Sequence, residues 1–88
     1  MDEYRIILAP AAVRDLKRIK DSTQLRRIAT AIDQLMVDPR PFGVKKLAGD
    51  DELWRVRVGR HRIIYQIKDD QLLILVVRVR DRKDVYRK

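Results

Sequence analysis

The stretch Leu-Trp-Arg-Val-Arg-Val-Gly-Arg-His-Arg-Ile-Ile-Tyr, residues 53–65, constrains this chain more than any other. Trp54, Val56 and Val58 alternate with Arg55 and Arg57, the period-two pattern of a half-buried strand. Gly59-Arg60 then offers a two-residue connector with glycine first, suited to a type II′ hairpin turn. With that turn the register is determined: Val58 faces His61, Arg57 faces Arg62, Val56 faces Ile63 and Arg55 faces Ile64. Directly opposed residues share a face of the sheet. Arg55, Arg57 and Arg62 are therefore expected on one side, and Trp54, Val56, Val58, Ile63 and Tyr65 on the other. The second side is apolar and must find a core.

The helices to supply it lie upstream. Residues 4–8 form a short β-branched apolar run, a first or edge strand. Pro10 stands where a helix can begin, and Val13, Leu16 and Ile19 follow helical spacing with Arg14, Asp15, Lys17 and Arg18 on the other side. Asp21-Ser22 interrupts this helix and supplies an N-cap for the next. Leu25, Ile28, Ile32, Leu35 and Met36 make its apolar stripe, and Asp38-Pro39 stops it. Residues 40–51 read as a loop with Pro41, Gly43 and Gly49 in it. After the hairpin, whose second strand spans 61–67, Asp69-Asp70 marks a turn. Residues 72–79, nearly all apolar, read as a central strand, and 81–88 are polar with one aromatic, Tyr86. The expected architecture is α+β in the order β-α-α-β-β-β: one domain over residues 1–88, a twisted antiparallel sheet with a two-helix hairpin packed on one face.

Composition narrows the function. Apolar residues make up 45% of the 88, enough for a core in one small domain. There is no cysteine, which removes disulfides, thiolate metal sites and a cysteine nucleophile. The acidic start Met1-Asp2-Glu3-Tyr4 does not resemble a secretory signal, and no apolar run approaches the ~20 residues of a membrane span; the expectation is a cytosolic protein. Lys and Arg number 21 against 13 Asp and Glu, a net +8. The imbalance is concentrated: residues 1–39 hold 7 basic and 6 acidic side chains, residues 40–88 hold 14 and 7, and residues 53–67 contain four arginines and no acid. Such clustering is the electrostatic footprint of a nucleic-acid binder.

Opposed like charges destabilise a sheet. The three hairpin arginines are therefore either solvated, or paired with Asp50, Asp51 or Glu52, or kept for an anion; guanidinium forks suit phosphate oxygens. Conventional catalytic sets are thin. His61 is the sole histidine, so a two-histidine ribonuclease mechanism is excluded, and parity turns it toward the core. No metal-ligand cluster, P-loop or nucleophile elbow is present, so neither a metal nor a cofactor is expected. An enzyme built from this chain must work with Arg, Lys and Tyr.

The strand pair from Trp54 to Tyr65, followed by Val76-Val-Arg-Val-Arg-Asp-Arg-Lys-Asp-Val-Tyr86, resembles the RelE branch of the RelE/ParE toxins, and the helical hairpin, Asp38-Pro39 and Lys46-Leu47 fit the same pattern. That resemblance implies the toxin of a type II toxin–antitoxin system, a metal-independent, ribosome-dependent endoribonuclease acting on mRNA. It implies catalytic roles for Arg55, Arg57, Arg62, Arg82 and Tyr86, with Arg80 or Lys83 as substitutes for Arg82 in a short segment of uncertain register. Lys45, Lys46, Arg80 and Lys83 would bind RNA, and Arg14, Arg18, Arg26 and Arg27 would add ribosomal contacts. The partners implied are the ribosome, mRNA and an acidic RelB-like antitoxin, with no membrane. Two departures stand out. Arg55 and Arg57 occupy positions where the family's best-studied member has lysines, and arginine stays protonated. Asp81 stands where many relatives have histidine. Tyr86 would position or deprotonate a 2′-OH, stack on a base, or simply pack. The superfamily also contains gyrase inhibitors and inactive relatives, which share the fold without requiring this set.

Overall fold

The computed structural model describes residues 3–47 and 53–82. Five strands, β1 (Arg5–Leu8), β2 (Lys45–Lys46), β3 (Leu53–Val58), β4 (His61–Lys68) and β5 (Leu73–Asp81), form one sheet in the order β1-β5-β4-β3-β2. Between β1 and β2 lie two helices, α1 (Pro10–Lys17) and α2 (Ser22–Leu35). The α+β class and the helical hairpin are as the sequence leads one to expect.

Strands β3, β4 and β5 form an antiparallel meander because short turns join them. The β3–β4 register is the one read from the sequence, from Trp54↔Tyr65 to Val58↔His61. Gly59 takes φ +60° and Arg60 does not leave negative φ, as a type II′ turn requires. Burial along β4 alternates without a break: His61, Ile63, Tyr65 and Ile67 are buried and the residues between them half-exposed.

The sheet is not wholly antiparallel, a correction to the expectation. β1 pairs parallel with β5, Arg5 opposite Leu73 through Leu8 opposite Val76. No tight turn ties β1 to its neighbour; it reaches the meander only through the helical crossover, and such a long connection accommodates a parallel pair. β5 is apolar enough to be flanked on both edges. The stretch expected as a loop also contains the two-residue strand β2, which pairs with Arg55 and Trp54 of β3.

The core joins Ala12, Ile28, Ile32 and Leu35 of the helices to Ile63, Tyr65, Ile67, Ile74, Val76 and Val79 of the sheet. Val76 and Val79 both point inward although they stand three positions apart, an odd spacing that period two would send to opposite faces. A bulge explains this: Tyr65 pairs with Val76 and Ile64 with Arg78, so one extra residue on β5 resets the alternation.

On α2 the expected stripe is buried at Ile28, Ile32 and Leu35, and Gln24 joins it. Asp21 caps the helix as expected, accepting from Thr23 N at 3.0 Å and Gln24 N at 3.2 Å. On α1 the reading needs correction. Asp15, expected on the polar side, is buried, because the inward face is turned to Ala12, Asp15 and Leu16. Its carboxylate accepts from Arg78 Nε (2.8 Å), Arg78 Nη2 (3.0 Å) and Val79 N (2.8 Å). β1 ends opposite Val76, and beyond that point Asp15 takes over the hydrogen bonding of the β5 edge. An open strand edge is thereby closed by a helix side chain.

Candidate functional site

Period-two geometry decides which side chains can act together. The sheet face opposite the helices carries two cross-strand rows. In one, Arg57 of β3, Arg62 of β4 and Arg80 of β5 are successive register partners. In the other, Lys45 of β2 opposes Arg55 of β3, which opposes Ile64 of β4, which opposes Arg78 of β5. Neighbouring strands stand about 4.8 Å apart, so the first row places three charges side by side and the second sets Lys45 beside Arg55, with Ile64 between Arg55 and Arg78.

Arg62 occupies the middle of the first row. Its Nε and Nη1 are buried and have no hydrogen-bond partner among the described residues. Leaving a buried donor unpaired costs about 1–3 kcal/mol, and more for a charged group. Arg57 opposite is exposed and adds like charge. Guanidinium rows of this kind suit phosphate oxygens.

The sequence-predicted residues separate into groups. Arg55, Arg57, Arg62 and Arg80 come together on this face, joined by Lys45 at the β2 edge. Lys46 does not join them: it opposes Trp54 on the other face, its Nζ 5.9 Å from the indole centroid. Arg82 is exposed just past β5, and its backbone N donates to Arg60 O at 2.8 Å. Lys83 and Tyr86 lie outside the described residues. Among the helix arginines, Arg14, Arg18, Arg26 and Arg27 are exposed.

Arg78, in register with Ile64, is held by Asp15. Burial tends to raise the Asp15 pKa, but the Arg78 guanidinium and Val79 N–H outweigh it and hold the carboxyl below its usual range. Asp15 and Arg78 thus form a structural pair, distinct from the row of Arg57, Arg62 and Arg80.

At the hairpin tip, His61 is buried, as parity foretold. Gln24 Nε2 donates to Val58 O (2.8 Å) and lies 3.0 Å from His61 Nδ1. His61 Nε2 lies 3.8 Å from Asp81 Oδ2, and Arg60 Nη2 sits 3.2 Å from the same oxygen. A Cβ on Gly59 would stand 2.9 Å from Gln24 Nε2, so the glycine serves both the turn and this packing. The tip borders an open cavity of about 410 Å³, lined by Asp15, Arg18, Gln24, Arg60, His61 and Asp81 among others. This is a mixed-charge cavity beside the helices. The network ties the turn to the end of β5, and so fixes where Arg82 leaves the sheet.

Sequence reasoning did not single out Asp15 or Gln24. For Gln24 a signal existed, since it extends the Ile28–Ile32–Leu35 stripe back by four residues to meet an inward histidine. For Asp15 there was none, because its partners lie 63 and 64 residues away. Among the described residues no group of His, Asp or Glu could hold a metal ion, and no helix is long and apolar enough to cross a membrane.

A family model described as the ParE toxin of the type II toxin–antitoxin system parDE matches residues 6–86. The chain belongs to the ParE toxin family. A provisionally named toxin RelE1 of Methanocaldococcus jannaschii is 28% identical to this toxin over 88 residues, covering 97% of each chain. The RelE–RelB complex of Pyrococcus horikoshii OT3 contains a chain with TM-score 0.77 and 28% identity, covering 90% of this chain and 94% of that one. A chain of the RelB–RelE antitoxin–toxin complex from Methanococcus jannaschii matches with TM-score 0.74 and 27% identity, over 92% and 95% of the two chains. The likeness read from the strand pair to the RelE/ParE toxins is borne out, and the toxin has the α+β fold of its RelE relatives.

Proposed function

We propose that this toxin is a ribosome-dependent, metal-independent endoribonuclease that cuts translated mRNA, and that the arginine face of the sheet holds the scissile strand. The observation that carries this reading is Arg62: a guanidinium in the centre of a basic row, with two buried donors that lack partners among the described residues. A surface evolved only for solubility would not bury them.

The chemistry follows from the residue types. The 2′-oxygen of one nucleotide attacks the adjacent phosphorus and gives up its proton. That proton passes to Tyr86 or to water. The bond to the 5′-oxygen breaks, the 5′-oxygen takes up a proton from water and leaves as a 5′-hydroxyl, and a 2′,3′-cyclic phosphate remains. Negative charge builds on the phosphoryl oxygens, and guanidiniums fixed in advance lower the barrier electrostatically. In this reading Arg62 donates to those oxygens, while Arg55 and Arg57 hold the flanking phosphates and Lys45 extends the track to the β2 edge. Arg80, beside Arg62 in register, fits the role that the family resemblance gives to Arg82. Tyr86 positions or deprotonates the 2′-hydroxyl, or stacks on a base; a cationic surround favours its phenolate. Lys83 would assist in binding.

Arginine cannot serve as a base, so the site acts slowly on free RNA. The ribosome supplies the in-line geometry that the protein lacks. The toxin's partners are then the ribosome, mRNA and an acidic antitoxin, as the archaeal relatives crystallised with RelB suggest; net charge +8 suits such a partner.

The family description as a ParE toxin favours a second reading, inhibition of DNA gyrase. Incubation of purified toxin with translating ribosomes, with free mRNA and with gyrase separates the two. The ribonuclease is expected to cut ribosome-bound message, scarcely touch free message and leave supercoiling intact. Loss of supercoiling with intact message would establish the gyrase reading instead.

A further inference from the structure

Phe42 is the most exposed large apolar side chain among the described residues, with relative accessibility 105%. It does not sit on a loose loop. Val44 N donates to Pro41 O at 3.1 Å and Gly43 takes φ +89°, so Phe42 is the first central residue of a glycine-dependent tight turn. The base of that turn is fastened on every side. Tyr65 Oη donates to Pro39 O (2.8 Å), Arg40 pairs with Asp69 (2.8 Å) and lies 5.0 Å over the Trp54 ring, and Val44 packs on the core. The tip itself stands clear, since a Cβ on Gly43 would meet nothing within 4 Å.

A fixed turn thus presents a phenyl ring to water, where it adds nothing to the fold. Its surroundings indicate what the ring receives. Of the cations flanking it in sequence, Arg40 is paired with Asp69 and Lys46 turns to Trp54 on the helix side, which leaves Lys45 as the cation that leads to the arginine face. Lys45 opposes Arg55 and so begins the basic rows of the sheet face. Three residues span roughly 10 Å at most, which keeps Phe42 close to that beginning. An aromatic face beside a cationic track is the recognition surface of single-stranded nucleic acid, in which phosphates follow the charges and an unpaired base stacks on the ring.

We propose that Phe42 is a base-stacking site for the RNA strand held by the arginine face, located at its Lys45 end. This rests on the reading of that face as an RNA surface, and the test separates the two. Binding of a short, non-cleavable 2′-O-methyl oligoribonucleotide is measured by fluorescence anisotropy across a salt series. The proteins compared are the wild type, Phe42→Ala, Phe42→Leu, Phe42→Trp and Arg62→Ala. Because Phe42 is fully exposed, all three of its variants should melt with the wild type.

Phe42→Ala is expected to weaken binding roughly 5- to 100-fold, the range set by loss of one stacked base. Its salt slope should not change, since no charge is removed. Phe42→Trp should bind as well as the wild type, and Phe42→Leu should fall with alanine. Wild-type affinity in Phe42→Ala, with Arg62→Ala weakened, would overturn the stacking site and leave the arginine face standing. Full rescue by leucine would overturn stacking as well, since it marks a plain apolar contact of the kind a protein partner makes. An Arg62→Ala protein that binds like the wild type would overturn the arginine-face reading, and the proposal with it.

Discussion

The two faces of the sheet treat buried polar groups in opposite ways. On the helix side, and at the β5 edge that α1 covers, the buried groups at the centre of the fold have partners. Asp15 accepts three hydrogen bonds from Arg78 and Val79, Gln24 bridges Val58 and His61, and Tyr65 donates to Pro39. On the other face, Arg62 keeps two buried donors without partners among the described residues, between Arg57 and Arg80. The first arrangement stabilises the fold; the second costs stability. A domain of 88 residues has only modest stability, and under the proposed function a bound phosphate offsets the cost at Arg62.

Substitutions should break this comparison in opposite directions. The largest effect is expected from Arg62→Ala, which should reduce cleavage of ribosome-bound message about 10²- to 10³-fold, the usual cost of losing one preorganised donor. Its stability in urea should hold or rise, by at most roughly 1 kcal/mol, since an opposed like charge and an unmet donor are removed together. A marked loss of stability would mean that Arg62 is structural and would collapse the distinction between the faces.

Asp15→Ala should do the reverse. It strands Arg78 and an edge N–H, and should cost about 2–3 kcal/mol, below the range for a wholly buried pair because Arg78 is partly solvated. That corresponds to a melting temperature lower by roughly 10–20 °C. Ribosome-dependent cleavage, measured well below the new melting point, should change little. A variant as stable as the wild type would show that the β5 edge needs no such closure.

A smaller effect sharpens the same point through pH. The Asp15 carboxyl titrates below its usual range in the folded chain, so folding favours its ionised form. The resulting stability is fully present above the unfolded value, about 3.9, and is lost as pH falls through the lower folded value. Urea midpoints followed from neutral pH to below pH ~3 should fall less steeply in Asp15→Asn than in the wild type. Parallel curves would refute the assignment. Smallest is Asp21→Ala, which removes the α2 cap and should cost about 1 kcal/mol by the same measurement, with no change in cleavage.

Much of this was legible in the chain. Alternation around Gly59-Arg60 determined the register, the inward turn of His61 and Tyr65, and the grouping of Arg55, Arg57 and Arg62, because period two leaves no freedom once the turn is placed. The Asp21 cap and the α2 stripe were legible for the same local reason. What escaped was non-local. The parallel seat of β1 depends on which strand needs a neighbour, and the bulge that turns Val79 inward has no local mark. Asp15 looks like any polar helix residue until β5 is brought against it. Lys45 and Lys46 are adjacent in sequence, and only the discovery of β2 shows that they point to opposite faces. For the site, Arg80 was legible as a stand-in for Arg82, whereas its place beside Arg62 became evident from the β4–β5 register.

The central claim, that the arginine face cuts message on the ribosome, is tested most directly by mapping transcript ends in bacterial cells after brief induction of the wild-type toxin and of Arg62→Ala at matched levels. The expected result is cuts in phase with codons within translated messages, abolished when translation is blocked and absent from the Arg62→Ala cells. Intact messages in cells arrested by the wild-type toxin would contradict it.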